Sequence, residues 1–595
     1  MWITKLYLSW IVVSSIPSAL ARPTEQLVLG NAPDPFVLPP KVTDYIETLR
    51  TRWNISGISL AIVLSPNYTY PDHAAPVGEW QQETFAFGDA DGAGTKVTEN
   101  SLFALASNSK LFTATAVNLL VHNKTLLPNG ELLDWSTKVK DILPDWQLAD
   151  PYASDHVDVL DLMSMRSGMP RHDTSHDSRT TPLASIQSMR YLKPSTEIRQ
   201  TWQYNNFHYL ALSHMIPTLT NISFVDYVKR RILDPLGMSS TTYNCLEARQ
   251  SGQRSEGFVR VERNAKKCEA LDIDRKVDKA CTGVPESLGW WTEGDGLSEA
   301  GMGGLISSSK DLTKWLKELI HPSVIPRYLI EKTSTSLMTQ SSPTPWREVG
   351  SSTYGQGSMS FAYRSTPIVH HGGSLPGQKS QVTRVPSLGF AFATMVNDDE
   401  YGSLFHEIIE YRLLDHLLGL EPIDWEQRLA APILSPHKRH ADLPKHPSPP
   451  KPGFDQVPGT YTQAAYGSFT LESFDAASSS PELTAFYARL LEQPGLNLTG
   501  PIFVGKLHKT FATHIALTHF DGNLYNRTTV SIYTSPQSGS PVVTEADLGS
   551  VVVDEGVGMF SNWFGAGAAV PILHAFHGER ELVKEKSETW YEKVG

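Results

Sequence analysis

The chain has 595 residues, 40% hydrophobic and 19% charged, with 51 basic against 63 acidic side chains for a net charge of −12. That is several times the length of one hydrophobic core and apolar enough to fill more than one, which excludes a fibre, a coiled coil or a disordered chain and predicts a globular protein of two or more domains. No run of five or more Lys or Arg is present to track a phosphate backbone, so nucleic acid is not expected as a partner.

Residues 1–21 read as a secretory leader. Lys5 gives a positive start, Leu6 to Ile16 an apolar stretch too short to cross a bilayer, and Ala19-Leu20-Ala21 a small-residue cleavage site. The mature chain is expected to start near Arg22 and to be secreted. No later segment offers about 18 uninterrupted apolar residues, so no stable membrane anchor is expected. Six N-x-S/T sequons, at Asn54, Asn67, Asn123, Asn221, Asn497 and Asn526, fit a glycoprotein of that compartment. Cys245, Cys268 and Cys281 predict one disulfide and one odd thiol, with the pairing open. They include no Cys-x-x-Cys pair and cannot supply four metal ligands, so neither a metal nor a cofactor is implied.

From residue 22 to 430, amphipathic helical stretches such as Leu312 to Ile320 alternate with strand-like runs such as Phe390 to Val396, the pattern of a mixed α and β domain. From 431 to 458 the chain is dense in proline and is expected to form neither helix nor interior strand, but a linker or a wrapping strap. From 459 to 595, short alternating segments such as Ser468 to Glu472 and Thr528 to Tyr533, separated by Gly, Asn and Ser, predict a small β-rich domain. No internal repeat is present.

Three local patterns carry chemistry. Ser107-Asn108-Ser109-Lys110 opens an apolar helix, and its spacing places the hydroxyl and the amine on one face at a helix N-terminus. A serine needs a neighbouring base to become a nucleophile, and an amine depressed by burial can serve. Of the other S-x-x-K strings, those at Ser435 and Ser448 sit among prolines, and Ser307 precedes a helix whose N-cap is Ser308 or Ser309. Tyr204-Asn205-Asn206 is the one Y-x-N string. A phenolate beside a lysine ammonium can act as a general base, and the Asn206 amide can hold both the lysine and a substrate carbonyl. His370-His371-Gly372-Gly373-Ser374 lets a strand edge approach an acyl group with backbone N–H groups aimed at its oxygen. Neighbouring strand residues face opposite ways, so the two histidines do not share a metal.

In order and separation, Ser107, Tyr204 and His371 resemble the S-x-x-K, Y-x-N and H-x-G motifs of the serine β-lactamase-like hydrolases, a family that includes class C β-lactamases, D,D-peptidases and esterases. The stretches VTENSLFALASNSK, DLMSMRSGMP, LDPLGM and GMGGLISSSKDLTKW look like the family too, over roughly Pro40 to Leu420, and VPGTYTQ resembles the start of an appended small β-barrel. Met165-Arg166-Ser167-Gly168 departs from the family's H-T-S-G, and the doubled histidine leaves the register of the third motif between His370 and His371. The resemblance implies an antiparallel sheet flanked by helices plus an all-helical subdomain, with the site between them. It also implies Ser107 as nucleophile, Lys110 and Tyr204 as its activators, and an oxyanion hole from the N–H groups of Ser107 and Ser374, lined by Asn206, His371 and Gly373. Without lysine at 371, hydrolysis of an ester or amide, including a peptide, is expected over penicillin hydrolysis. Acyl transfer to an alcohol in secondary metabolism and a non-catalytic binding protein on the same fold are the alternatives. No G-x-S-x-G elbow occurs, and His406 to Glu410 lacks the second histidine of a zinc site.

Overall fold

A computed structural model describes residues 37–264, 267, 279–340, 345–434, 444–477, 479–493, 496–544, 546–565, 568 and 580–594. The expected leader, Cys268 and the S-x-x-K string at Ser435 lie outside these residues. The main sheet contains β1 (Gly57–Leu64), β2 (Gln81–Gly88), β3 (Met338–Thr339), β4 (Thr353–Tyr354), β5 (Met359–Tyr363), β6 (Thr366–Leu375), β7 (Gln378–Val385) and β8 (Phe390–Val396). All pairings are antiparallel, in the order β2-β1-β8-β7-β6-β5-β4-β3.

Strands β1 and β8 are buried along their whole length, which is why they read as unbroken apolar runs. Helices cover both faces. On one face Ile58, Leu60, Ile62, Phe390 and Phe392 pack with α1 (Pro40–Arg52) and α5 (Gly402–Leu417). On the other, Ala61, Ala391 and Ala393 lie under α4 (Ser309–Ile320), where small side chains leave room for Trp315. Helix α4 starts where Ser308 accepts a hydrogen bond from Asp311 N at 3.2 Å. It then buries Leu312, Trp315, Leu316 and Leu319 on one stripe, each contributing about 2 kcal/mol. Ser307 ends the short strand before this helix and bonds Thr241 Oγ1 at 2.8 Å, a structural role. Beside the sheet, α2 (Ser109–His122) packs on α3 (Asn206–Thr220), with short helices between residues 139 and 191 completing the helical subdomain.

The C-terminal segment closes into an eight-stranded antiparallel barrel of β9 (Gly459–Gln463), β10 (Gly467–Ser473), β11 (Ile502–Lys506), β12 (His514–Asp521), β13 (Leu524–Val530), β14 (Asp547–Val553), β15 (Gly556–Phe560) and β16 (Thr589–Val594). Tyr461, Phe469, Phe503, Leu517, Tyr525 and Tyr591 belong to its core. In the proline-dense stretch, helix α6 (Trp425–Leu434) occupies the first four residues, where no helix was expected, because an amphipathic helix begun upstream runs on through them. Farther on, Ser448 and Lys451 hydrogen-bond the turn between β12 and β13 through Asp521 and Asn523. Barrel and main domain belong to one compact unit. Among their contacts is a buried ion pair, Arg489 of α7 (Pro481–Leu491) to Glu400 at 2.6 Å.

Cys245 carries a free, buried thiol, and Cys281 is disulfide-bonded. Asn67, Asn123 and Asn221 are exposed, and Asn54 and Asn497 are half-buried. Asn526 differs from the expectation: it lies in β13 with its amide nitrogen buried, so the folded barrel has no room for a glycan there. Among the described residues, no helix is long and apolar enough to cross a membrane.

Candidate active site

Ser107 lies in a 3₁₀ turn, Ala106–Asn108, immediately before α2. Ala106 has φ 48°, a left-handed conformation that costs a non-glycine residue about 1–2 kcal/mol. The surroundings over-determine it. Ser109 Oγ donates to Ala106 O at 2.6 Å and accepts from Leu305 N at 2.9 Å. Ser380 Oγ of β7 donates to Leu105 O at 2.6 Å and accepts from Asn108 Nδ2 at 2.8 Å. The hydroxyl of Ser107 is thereby aimed into a cavity of about 470 Å³, lined also by Arg171, Trp202, Tyr204, Ser374 and Glu407.

Lys110 is fully buried on the first turn of α2. Its Nζ lies 2.7 Å from Asn206 Oδ1, 2.6 Å from Met302 O and 3.1 Å from Ser107 Oγ. The two carbonyl oxygens can only accept. In a neutral amine they take both hydrogens, and the lone pair is left for the serine hydroxyl. Burial, reinforced by the charge of Arg171 and opposed by Asp173, holds the lysine well below its usual pKa and favours that neutral form.

Tyr204 stands on the other side, its ring 4.9 Å from Lys110 Nζ. Its hydroxyl is buried next to Ser107 but makes no hydrogen bond of good geometry. Burial pushes the phenol above its ordinary pKa, while Arg171 and Ser107 pull weakly the other way. Against the expected phenolate beside an ammonium, desolvation disfavours both charges and favours phenol and amine.

Asn206 also departs from expectation. Its Oδ1 faces Lys110, and its Nδ2 donates to Asp173 Oδ1 at 2.7 Å, so the amide braces the lysine instead of lining the cavity. The carboxylate decides which way the amide points.

The third motif lies on β6, where both histidines line the cavity from opposite faces of the strand. His370 faces α5 and meets Glu410 at 3.0 Å, whereas His371 turns inward beside Tyr204, with ring centroids 6.3 Å apart. His371 Nδ1 is 2.7 Å from Gly372 O and must donate, which leaves Nε2 to accept from Tyr354 Oη at 3.3 Å. Burial, then the nearby lysine, pulls its pKa down to about 3, so it is neutral. Gly373 passes directly over the nucleophile's turn, and Ser374 is exposed in the cavity wall. Strand β5 pairs with β6 only as far as His370, so beyond it one edge of β6 is open to the cavity.

Two site residues escape sequence reasoning: Arg171 and Asp173, which follow the DLMSMRSGMP stretch without a motif of their own. The Arg171 guanidinium lies 4.5 Å from the centre of the Tyr204 ring and donates to Asp173 Oδ2 at 2.7 Å. At the departure from H-T-S-G, Met165 takes φ 56°, Arg166 Nε donates to Asp161 Oδ1 at 2.6 Å, and Ser167 Oγ lies 2.7 Å from His208 Nε2. Among the described residues, no group of His, Cys, Asp or Glu is arranged to hold a metal ion.

A family model, Beta-lactamase, matches residues 45–416. Unguisins hydrolase ungD' of Aspergillus campestris is 27% identical over 451 residues, 72% of this chain and 77% of that protein. Unguisins hydrolase ungD of Aspergillus violaceofuscus is 28% identical over 503 residues, 78% of this chain and 81% of that one. The octameric penicillin-binding protein homologue from Pyrococcus abyssi shares the fold, with a TM-score of 0.51 at 19% identity over 87% of this chain and 97% of that one. The matched segment holds the sheet, the helical subdomain and the serine–lysine–tyrosine cluster, and the chain belongs to the beta-lactamase family as a serine hydrolase.

Proposed function

We propose that this hydrolase opens an ester or amide bond, including a peptide bond, through an acyl-enzyme on Ser107. One observation carries the reading: Lys110 Nζ lies within hydrogen-bond distance of two carbonyl oxygens and of Ser107 Oγ, so that a neutral amine bonded to the two oxygens turns its lone pair on the serine hydroxyl. Lys110 accepts the serine proton as Oγ attacks the substrate carbonyl, and a tetrahedral oxyanion forms against the N–H groups of Ser107 and Ser374. The protonated lysine passes a proton through the Tyr204 hydroxyl to the leaving group, and the bond to that group breaks. Water, activated by the same pair, then releases the acid and restores the serine. A neutral His371 offers no cation to a substrate carboxylate, which disfavours penicillins. Likeness over most of the chain to relatives named unguisins hydrolases favours water over an alcohol as acceptor. The chain is further proposed to be secreted and glycosylated, with Asn67, Asn123 and Asn221 the accessible sequons.

The test is turnover of an unguisin, a peptide amide, a simple ester and a cephalosporin, with products read by mass spectrometry. Gain of one water by the unguisin, amide or ester supports the reading. Cleavage of the cephalosporin alone, or product only when an alcohol is supplied, would overturn it.

A further inference from the structure

The groups that brace the candidate site are themselves held by the C-terminal barrel. His172 lies between Arg171 and Asp173, is fully buried, and has φ 52°, an uncommon left-handed conformation in which its neighbours hold it. Two of those neighbours come from the barrel. His172 N donates to Phe564 O at 3.0 Å, and His172 Nδ1 lies 2.6 Å from the hydroxyl of Tyr466, in the turn between β9 and β10. The third contact, Nε2 to Lys193 O at 3.0 Å, fixes the proton on Nε2, so Tyr466 must donate to Nδ1. Tyr466 is itself clamped, buried and stacked on Trp563 at 5.7 Å. Gly565 lies so close to Arg171 that a Cβ there would come within 2.8 Å of Arg171 Cβ.

From His172 the chain of contacts runs to the serine without a gap. Arg171 lies over Tyr204 and bonds Asp173, Asp173 orients Asn206, and Asn206 holds Lys110 against Ser107. We propose that the barrel is a working part of the active site, with Tyr466 a positioning residue that acts through His172 to hold Arg171 and Asp173 against Tyr204 and Asn206. The inference rests on the reading of Ser107 and Lys110 given above. It assigns the barrel a role that the position of the S-x-x-K, Y-x-N and H-x-G strings, all of them outside it, does not suggest.

The test is acylation of the full chain measured against pH for Tyr466→Phe, Arg171→Gln and the double variant. The groups facing Lys110 are Asn206, Met302 O, the rings of Tyr204 and Tyr209, Arg171, Asp173 and His371. Of these, Arg171 is the full positive charge that disfavours the ammonium, so its displacement moves the acid limb of the rate to higher pH. Tyr466→Phe is expected to stay folded, to lose about tenfold in acylation rate, the scale of a sub-ångström misplacement, and to show that shift. Arg171→Gln is expected to show the shift in full, and adding Tyr466→Phe to it to move the limb no further. An unmoved acid limb in Tyr466→Phe, or shifts that add in the double variant, would overturn the proposal. Labelling that survives Ser107→Ala would instead overturn the underlying site.

Discussion

Gly372 and Gly373 are neighbours on one strand, yet only one of them should be needed for catalysis. A Cβ on Gly373 would meet Leu105 O at 2.2 Å, Ser380 Oγ at 2.5 Å and Ala106 Cβ at 3.1 Å, all in or against the turn that carries Ser107. Ordinary contact starts near 3.4 Å, so Gly373→Ala must open β6 from that turn by about 1 Å, since packed backbone cannot compress. The proposed oxyanion hole has one N–H on each side of that gap. A misplacement of about 1 Å costs about a hundredfold in rate, or about 2.7 kcal/mol of barrier. A Cβ on Gly372 meets only Gln381 Oε1, at 3.0 Å, the far end of a side chain that can shift by a few tenths of an ångström while its amide nitrogen stays on His370 and Glu410. Neither glycine has a positive φ, so clearance alone separates the two. The assay is kcat/KM on an activated ester, corrected for folded fraction by thermal unfolding. Gly373→Ala should lose about a hundredfold and Gly372→Ala less than about threefold. Equal losses, or a Gly373→Ala protein that is less stable but fully active, would refute the geometry.

Arg489→Leu leaves the Glu400 carboxylate buried without its partner and should cost about 3–5 kcal/mol in urea unfolding, whereas Arg489→Leu with Glu400→Leu should recover most of it. Because burial already lifts Glu400 to about 7 against the pull of Arg489, and loss of that pull lifts it further, the single-variant cost should be largest in alkali and shrink as pH falls towards about 7; a cost independent of pH would contradict this. Stability should also fall in acid. Burial depresses His172 to about 4 and His371 to about 3, so each binds its proton more readily unfolded. Their contribution is whole above about 6.5 and is lost downward through those values at about 1.4 kcal/mol per unit each, which an unfolding series from pH 7 to 4 would measure. Lys110→Arg, a side chain that cannot deprotonate, should abolish acylation at every pH, and substantial turnover by a folded variant would exclude the lysine as base.

Ser107, Lys110, Tyr204 and His371 were legible because each sits in a short string whose spacing fixes a face of a helix or strand. The same alternation, once β6 is placed, separates the inward His371 from His370, which pairs with Glu410. Arg171, Asp173 and the carbonyl of Met302 were not legible. Met302 contributes a main-chain oxygen that no residue letter encodes, and Asp173 reaches Asn206 across 33 residues of loop and short helix. Nor could the charge states be read. Burial favours the phenol form of Tyr204, and that burial comes from partners far along the chain, Arg171 and His371, as well as from nearby Trp202. Short alternating strands announced a β-rich tail, but its closure depends on β9 meeting β16, Thr460 opposite Val594, at a separation no local pattern reports.

The central claim is that Ser107 is the residue that becomes acylated. Trapping with a serine-directed phosphonate, followed by intact-mass and peptide mapping, tests it most directly. The account predicts one adduct per chain, on the peptide containing Ser107, absent from folded Ser107→Ala and retained in Ser307→Ala, whose hydroxyl is occupied by Thr241. An adduct on another residue, or undiminished labelling and turnover by folded Ser107→Ala, would contradict it.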